Sequence, residues 1–355
     1  MPDTYTSQFS GEEIDSALRA AQIISGAETP AALREKLEIY GSNTALSPTD
    51  PTTVETALKY RSNPNLLDNW FFGRPVNQRG QTEYTENGYI IDRWKSGVKK
   101  AIVANKYITL QSNGTYSQIF QPFELQLAGK VVTMSALINT HSGHNVGMLL
   151  YDYANDKSYS PDFIVSTTAN QWMVVSTSFR VADNAPDKLN LIFYPDRTEA
   201  GDQTVDILAA KLELGSTQTL AHKEGDKWVL NEIPDFGEQL RRCQRHAFSP
   251  LHEAYATALI CNLFVSSVAN GVAFGEVTLP VSMRNKPVFS GNASKFWIVA
   301  ENGGGASHPT AIAVMGLSAD KVMIQVNGSY AANTQYILYV EDPFTSSDFL
   351  LSADL

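Results

Sequence analysis

Between Asn63 and Trp94 the sequence changes from a helical pattern to a strand pattern, and this change constrains the fold of the 355-residue chain more than any other feature. Asn63-Pro64 ends a helical pattern, because a proline ring pushes the preceding residue out of the helical region. Leu66-Leu67 and Trp70-Phe71-Phe72 then predict an apolar strand, and Asn87-Gly88 predicts a hairpin. The sequence therefore predicts a helical segment followed by an all-β region.

The first 62 residues hold three short helical patterns, each with its own start signal. Ser10 and Glu13 form a capping box, and Thr29-Pro30 and Asp50-Pro51 are typical of helix starts. Each helix has one narrow apolar stripe. Helices this short depend on packing for their stability, so we expect them to pack on one another or on copies of the chain.

Strand patterns fill most of the remaining sequence. Residues 63–217 predict a jelly-roll-like β-sandwich, because strand-like runs alternate with turn signals and show no helical period. Residues 218–248 predict a connector with a short helix after Pro234, and residues 249–355 predict a second, C-terminal β-sandwich. Asn270-Gly271 and Asn327-Gly328 predict hairpins in that domain. The predicted fold class is mainly β, with short N-terminal helices and one linker helix.

Composition and charge exclude several classes of protein. Hydrophobic residues make up 43% of the chain, which is enough for real cores, and charged residues only 18%. The formal net charge of −10 argues against nucleic acid or an anionic membrane as partner, since both select for clustered Lys and Arg. The start of the chain lacks the basic and apolar segments of a signal peptide, and no apolar run is long enough to span a membrane. Cys243 and Cys261 are predicted to be small buried side chains.

Several long segments of the sequence resemble segments of a known protein family. The segments NLLDNWFFGRPVNQRGQTEY and YIIDRW resemble the opening of the carbohydrate-binding-module-like β-sandwich in tail fibres of phages and prophages of Gram-positive gut bacteria. DILAAKLELGS resembles the last strand of such modules. GEVTLPVSMRNKPVF and the ending DFLLSADL resemble the distal tip domain of those fibres, and the connector resembles their ELxxCQRYF-like junction with His246-Ala247 at the aromatic position.

The resemblance implies a biological setting. It implies a receptor-binding tail-fibre protein that forms a homotrimer, attaches to tail or baseplate proteins through residues 1–62, and binds host cell-surface polysaccharide. Such a protein is made in the host cytoplasm, released by lysis and located in the virion tail. The resemblance also offers Asp68 and Asp206 as calcium ligands, although we expect no cofactor or metal.

No catalytic pattern stands out in the sequence. GxSxG, HExxH, P-loop and GxGxxG motifs are missing, so we predict a protein that is not an enzyme. Two facing carboxylates would suffice for a glycosidase, and sequence leaves that geometry open. A polysaccharide depolymerase and a purely structural tail spacer therefore stay as alternatives. His141 and His144 supply two imidazoles with no third ligand in view, which favours a polar loop over a metal site.

Loops that combine aromatic and hydrogen-bonding side chains are the predicted glycan contacts. Sugar recognition uses aromatic rings against the apolar faces of pyranoses and polar groups on their hydroxyls. An ordinary solvated turn is the alternative for each loop. Trp70, Trp94 and Trp172 are predicted to be core residues instead, and Asp92-Arg93 a structural ion pair at a strand edge. The predicted contacts are Tyr151, Tyr153, Asn155, Asp156, Tyr159, Asp196, Arg197, Asn302, His308 and Tyr330.

Overall fold

Strands dominate the computed structural model, which confirms the mainly β fold class. It describes residues 62–97, 100–104, 106–113, 118–161, 163–195, 202–251, 257–267, 271–301, 305–318, 320–331 and 334–354. The helices predicted in residues 1–61 lie outside this part of the chain. The boundaries of the four predicted segments stay predictions.

Two antiparallel sheets form the first β-sandwich. One has the strand order β1-β4-β5-β13-β7-β11, and its strands are Glu83–Tyr84 (β1), Lys100–Ala104 (β4), Tyr107–Asn113 (β5), Val131–Thr140 (β7), Met173–Arg180 (β11) and Asp202–Leu214 (β13). The other has the order β10-β8-β12-β6-β3-β2, with β9 pairing to β8. Its strands are Gly88–Ile91 (β2), Trp94–Ser96 (β3), Ile119–Glu124 (β6), Asn145–Asp152 (β8), Lys157–Ser158 (β9), Phe163–Ser166 (β10) and Lys188–Pro195 (β12).

The core of this sandwich lies between the two sheets. Trp94 is fully buried there and meets Phe72 edge to face, with 5.0 Å between ring centroids. Trp70 is buried and Trp172 packs half-buried against the same core, so the prediction of core tryptophans is confirmed. A buried tryptophan and its neighbours contribute several kcal/mol, since truncating one to alanine costs about 3–5 kcal/mol.

The segment predicted as the opening apolar strand is irregular. The Leu66 N–H donates to Leu212 O (2.8 Å), the Phe72 N–H donates to Leu208 O (2.8 Å), and Trp70 O accepts from Ala210 N (3.0 Å). These bonds hold the segment beside β13, yet only an isolated bridge from Phe71 forms. The strand prediction was wrong because the segment's apolar side chains fill the core without a continuous ladder of hydrogen bonds.

Two of the three predicted hairpins were wrong. β1 pairs with β4 and β2 pairs with β3, so Asn87-Gly88 carries the chain from one sheet to the other. After Asn327-Gly328 the next strand, Tyr336–Glu341 (β24), pairs with Thr257–Ser267 (β17) and Phe296–Ala300 (β20) rather than with Lys321–Asn327 (β23). The Asn270-Gly271 prediction is confirmed, since the flanking strands β17 and Val272–Thr278 (β18) pair antiparallel. A turn signal reports a change of direction and does not report which strand becomes the neighbour.

The connector contains a hairpin, Ala221–Glu224 (β14) with Lys227–Leu230 (β15), and one helix, Phe236–Gln244 (α1). Asp235 caps the helix by accepting from Glu238 N at 2.8 Å. The sequence pattern predicts one apolar stripe of Phe236, Leu240, Cys243 and Ala247 for this helix, which was partly wrong, because Ala247 lies in the strand Ala247–Phe248 (β16). Cys243 is buried, as is Cys261, and both are free thiols, which confirms the prediction for the cysteines.

The C-terminal domain pairs a broad sheet with a small one. The broad sheet has the order β21-β20-β24-β17-β18-β23-β22, with strands Thr257–Ser267 (β17), Val272–Thr278 (β18), Phe296–Ala300 (β20), Ala306–Ser307 (β21), Ala311–Leu317 (β22), Lys321–Asn327 (β23) and Tyr336–Glu341 (β24). The small sheet joins β16 to Phe349–Ser352 (β25) and Val288–Gly291 (β19). Phe349 packs against Phe296, with 5.6 Å between ring centroids, and so brings the small sheet onto one face of the broad sheet.

The opposite face of the broad sheet carries exposed apolar side chains. Leu259 is 64% exposed and Phe264 is 58% exposed. Cross-strand register places Leu259 beside Tyr339, and Phe264 beside Phe274. We call this surface the distal sheet face and define it by Leu259, Phe264, Phe274, Met323 and Tyr339.

Polar contacts join the first sandwich to the C-terminal domain within one compact unit, Asn63–Leu355. Arg79 Nη2 lies 2.6 Å from Asp354 Oδ2, and Gln78 Nε2 donates to Ala247 O at 2.7 Å. Asp92 is fully buried beside them and accepts from Gln78 Nε2 at 3.0 Å. Burial raises the pKa of Asp92 to about 6, although the nearby Arg79 guanidinium acts in the opposite direction.

The predicted ion pair between Asp92 and Arg93 was wrong. Arg93 has a positive φ of 71° and pairs through Nε with Asp68 Oδ2 at 3.1 Å. Asp92 faces Arg79 instead, with 3.8 Å between the Arg79 Nε and Asp92 Oδ1 atoms. Neighbours along the turn therefore point into different buried networks.

Candidate functional site

The outer face of the second sheet of the sandwich carries a cluster of aromatic side chains. Alternation along β8 and β12 turns Met148, Leu150 and Leu191 into the core and sends their neighbours outward. Leu149, Ile192 and Tyr194 form a small separate cluster on this outer side, together with the half-buried Phe120 and Tyr151. We call this surface the aromatic face and define it by Phe120, Leu149, Tyr151, Tyr153, Ile192 and Tyr194.

Tyr153 is the most exposed ring of the aromatic face, at 45%. Its ring centroid lies 5.1 Å from that of Tyr151 and 5.2 Å from that of Phe120. Gln118 Nε2 donates to the Tyr153 hydroxyl at 2.6 Å, so the ring is held from its polar end as well. A partly exposed and firmly positioned ring of this kind suits stacking against an apolar face of a ligand.

The hairpin between β8 and β9 supplies hydrogen-bonding groups at the edge of the aromatic face. Asp152 Oδ1 accepts from Ala154 N at 2.9 Å, and Asp152 Oδ2 accepts from Asn155 Nδ2 at 2.6 Å. The Asn155 hydrogen bond is the main cause of the lowered pKa of Asp152. Asp156 adopts a positive φ of 52° and accepts from the Tyr151 hydroxyl. The loop is therefore ordered by its own side chains before any ligand arrives.

Glycine makes room for one ring of the aromatic face. A Cβ atom at Gly147 would collide with the ring of Tyr194, which lies across the strand at that point. Tyr194 is buried as a result and supports the cluster from below. The sequence indicates that Tyr194 faces outward, because it lies two residues after Ile192 in the same strand. It does not indicate the role of Gly147, because that depends on which strand lies beside β12.

The structure brings four of the predicted contacts together. Tyr151, Tyr153, Asn155 and Asp156 lie on one hairpin, and the last three are exposed. Tyr159 is placed apart from them, packed half-buried against the main core with Lys157 Nζ 4.7 Å from its ring centroid.

The remaining predicted contacts are not brought to the aromatic face. His308 is exposed on the C-terminal domain, where its ring stacks on Trp297 with 3.9 Å between centroids. Tyr330 is half-buried in the same domain, where its hydroxyl donates to Val326 O at 2.9 Å and burial raises its pKa. Asp196, Arg197 and Asn302 lie outside the described residues.

Sequence reasoning missed two groups that border the aromatic face, Lys95 and Tyr89. Register pairs Tyr89 with Lys95, and Lys95 with Phe120, so these side chains lie side by side on the outer face. Lys95 Nζ is 4.7 Å from the centroid of the Tyr89 ring, and burial lowers the pKa of Lys95. Strand alternation in the sequence would have identified Phe120 as an outward-facing residue. Lys95 and Tyr89 lie on β3 and β2, and only the fold brings these strands beside β6.

The side chains that were considered as possible metal ligands, and judged against, each have a protein partner. His141 Nε2 lies 2.8 Å from Asp206 Oδ2, and His144 Nδ1 lies 3.0 Å from Ser142 Oγ. Asp206 also accepts from Thr109 Oγ1 at 2.7 Å, while Asp68 pairs with Arg93. Among the residues that the structure describes, no three His, Cys, Asp or Glu side chains come together as a metal centre would require. Nor does the described part of the chain contain a helix long and apolar enough to cross a membrane.

Comparisons with known proteins find partial likenesses to sugar-binding modules. No family model matches the sequence, and no curated protein matches it. The xylan-binding module CBM15 is similar at 11% identity and a TM-score of 0.31, over 39% of this chain and 100% of that one. TmCBM61 in complex with β-1,4-galactotriose is similar at 13% identity and a TM-score of 0.26, over 43% of this chain and 99% of that one.

A phage protein is among the similar structures. The enzymatically active domain of tailspike protein 4 from bacteriophage CBA120 is similar at 9% identity and a TM-score of 0.28, over 42% of this chain and 21% of that one. At these TM-scores the likenesses carry no argument about fold or ligand. The case for function rests on the side chains of the aromatic face.

Proposed function

We propose that this chain is a receptor-binding tail fibre of a phage or prophage and that its aromatic face holds host cell-surface polysaccharide. The observation that carries the binding mode is the partly exposed Tyr153 ring, fixed between Tyr151 and Phe120. Sugar rings present apolar C–H faces to such a surface and hydroxyls around their edges. The phage setting is supported by the sequence stretches that resemble tail fibres.

Asn155 and Asp156 supply the hydrogen bonds in this proposal. Both are exposed at the tip of the hairpin, and the Asp152 carboxylate beneath them fixes the turn. Because the hairpin is already ordered, little conformational entropy is lost when a sugar binds. The carboxylates of Asp152 and Asp156 both serve the loop, so we propose binding without cleavage.

A homotrimer is proposed from the distal sheet face. Leu259 and Phe264 are both exposed on β17, where each pairs in register with an aromatic residue of a neighbouring strand, and the sheet packs its core on the other side. Large apolar patches of this kind are typical of protein interfaces. Three copies would present three aromatic faces, and linked sites exceed the affinity of each by factors of about 10² to 10⁴.

Attachment to the tail is assigned to residues 1–62, and the virion tail is the proposed location. Deleting residues 1–60 should abolish incorporation into particles and leave a soluble protein that still binds polysaccharide. Normal incorporation of the truncated protein would contradict this assignment.

Retention and product release together test the proposed function. The purified chain and its Tyr153→Ala variant are incubated with cell-wall polysaccharides from a panel of Gram-positive gut bacteria. We expect the wild-type chain to be retained by at least one polysaccharide, the variant to be retained less, and no reducing sugar to appear. Released sugar would favour a depolymerase, and no retention by any polysaccharide would favour a structural spacer.

A further inference from the structure

A cleft opens where the first sandwich meets the C-terminal domain. One wall comes from residues 79–89 of the sandwich, and the other from Ser290, Ser347 and Leu350. Its volume is about 370 Å³, which falls in the range of small-molecule sites. We call it the junction cleft. None of the residues predicted from the sequence to bind a ligand lines it.

The side chains of the junction cleft are mostly hydrogen-bonding groups. Glu86 and Asn87 are exposed on the sandwich wall, and on the opposite wall Ser290 is exposed and Ser347 is half-buried. Tyr84 contributes a largely buried ring, and its hydroxyl donates to Asn77 Oδ1 at 3.3 Å. Hydrogen-bond acceptors and donors around an aromatic ring suit a hydroxyl-rich ligand better than they suit an apolar ligand.

Charge around the junction cleft selects against an anionic ligand. The Arg79 guanidinium is held by Asp354, with 2.6 Å between Arg79 Nη2 and Asp354 Oδ2, and lies 4.4 Å from the Tyr89 ring centroid. Lys100 is paired with Glu83 at 2.8 Å. Glu86 therefore adds a negative charge to a wall whose cations already have partners, which favours a neutral saccharide.

Strand register places the junction cleft two strands away from the aromatic face. Tyr89 lines the cleft and pairs in register with Lys95, which pairs in turn with Phe120 of the aromatic face. Adjacent strands lie about 4.8 Å apart, so Tyr89 and Phe120 are separated by roughly 10 Å across the sheet. A chain of sugar units lying along this direction would contact both surfaces.

We propose that the junction cleft is a second saccharide subsite, walled by both β domains, which binds a neutral sugar unit of a glycan whose other units lie on the aromatic face. This proposal rests on the proposed function, because the aromatic face is its neighbouring subsite. It assigns the receptor contact to the two domains jointly. The ordered junction, with Gln78, Arg79 and Asp354 in contact across it, holds the two walls together.

Filling the junction cleft tests the subsite. Ser290→Trp places a large ring in the cleft from β19, opposite Leu350. Ser318→Trp is the matched control, because Ser318 is exposed on the C-terminal domain away from the cleft lining. Glu86→Gln is a milder variant that keeps the shape of the wall. Melting temperatures establish that each variant is folded.

The readout is the affinity for neutral oligosaccharides of increasing length, prepared from the polysaccharide that retains the wild-type chain. We expect wild-type affinity to continue rising with length after the affinity of Ser290→Trp has stopped rising. For the longest oligosaccharides we expect Ser290→Trp to bind about tenfold more weakly or worse, equivalent to about 1.4 kcal/mol. Glu86→Gln should bind several-fold more weakly, and Ser318→Trp should match the wild type.

Two other outcomes overturn the proposal in distinguishable ways. Identical length dependence for wild type, Ser290→Trp and Glu86→Gln, with Tyr153→Ala still impaired, would remove the second subsite and leave the proposed function standing. A wild-type chain that no polysaccharide of the panel retains would remove the proposed function and this subsite with it.

Discussion

The aromatic face and the distal sheet face both carry rings on the side of a sheet turned away from its core, and they differ in what surrounds those rings. Tyr153 is bordered by Gln118 and by a hairpin whose Asn155 and Asp156 are exposed. Phe264 on the distal sheet face is bordered in register by Phe274. Strand alternation alone produces both surfaces. The neighbouring groups decide whether the surface suits hydroxyl-rich sugar or another apolar surface.

The largest expected effect comes from introducing charged side chains on the distal sheet face, because this should change its interaction with other copies and leave the aromatic face as it is. In the double variant Leu259→Asp and Phe264→Asp, we expect the proposed trimer to dissociate, because buried unpaired carboxylates are strongly unfavourable in an apolar interface. Apparent affinity for polysaccharide should fall by a factor of about 10² to 10⁴ through lost avidity, while affinity per site is unchanged. Sedimentation and calorimetry measure the two effects.

Val229→Asp is the matched control for that variant, since Val229 is an exposed apolar residue of the connector hairpin. It should leave both the mass and the affinity as they are. A wild-type monomer at micromolar concentration, or a double variant that stays trimeric, would contradict the role given to the distal sheet face.

The pH dependence of stability tests the buried junction that joins the domains carrying the two faces. The pKa of Asp92 is about 6 in the folded chain, above the value of about 3.9 expected when unfolded. The folded state therefore holds the proton more tightly, and this stabilisation is present below the unfolded pKa and is lost as pH rises through about 6. Between about pH 7.5 and about pH 5, the wild type should gain roughly 1–2 kcal/mol relative to Asp92→Asn.

Urea unfolding at the two pH values measures this difference. Burial lowers the pKa of His246 to about 3, which gives a pH dependence of opposite sign. Because His246 is present in both proteins, its contribution cancels in the comparison. A stability difference between wild type and Asp92→Asn that stays constant with pH would contradict the raised pKa.

The smallest expected effect comes from removing the Tyr153 ring from the aromatic face. Tyr153→Ala should weaken polysaccharide binding per site by up to about tenfold, since an aromatic contact contributes about 0.5–1.5 kcal/mol beyond its area. The trimer should be unaffected. Tyr153→Phe keeps the ring and loses the hydrogen bond from Gln118, so it should recover most of the affinity in a calorimetric titration. Equal binding by all three proteins would exclude Tyr153 as a contact.

Local sequence signals predicted the fold class and part of the aromatic face. Alternation identified the strands, and the combination of tyrosines with Asn and Asp identified the hairpin at 151–156. Turn signals failed at Asn87-Gly88, because this turn connects strands of two different sheets. A turn is encoded by a few neighbouring residues, whereas strand order is decided by the packing of the whole domain.

The junction could not be predicted from local pattern. Gln78 contacts Ala247 across 169 residues, and Arg79 contacts Asp354 across 275. Nothing in the sequence around Asp92 indicates that its carboxylate is buried beside Arg79 rather than paired with Arg93. The residues of the junction cleft were missed for the same reason, since its two walls belong to different domains.

The contact between Arg79 and Asp354 also has a consequence for the order of folding. Closing a loop of 275 residues is entropically costly, and the cost is offset only when both partners are already held on folded domains. The junction is therefore expected to form last, after each β domain has its own core. The Ser249 N–H donates to Gln78 Oε1 across the junction at 3.2 Å, so hydrogen exchange at Ser249 would distinguish molecules with a closed junction from those in which only the separate domains have folded.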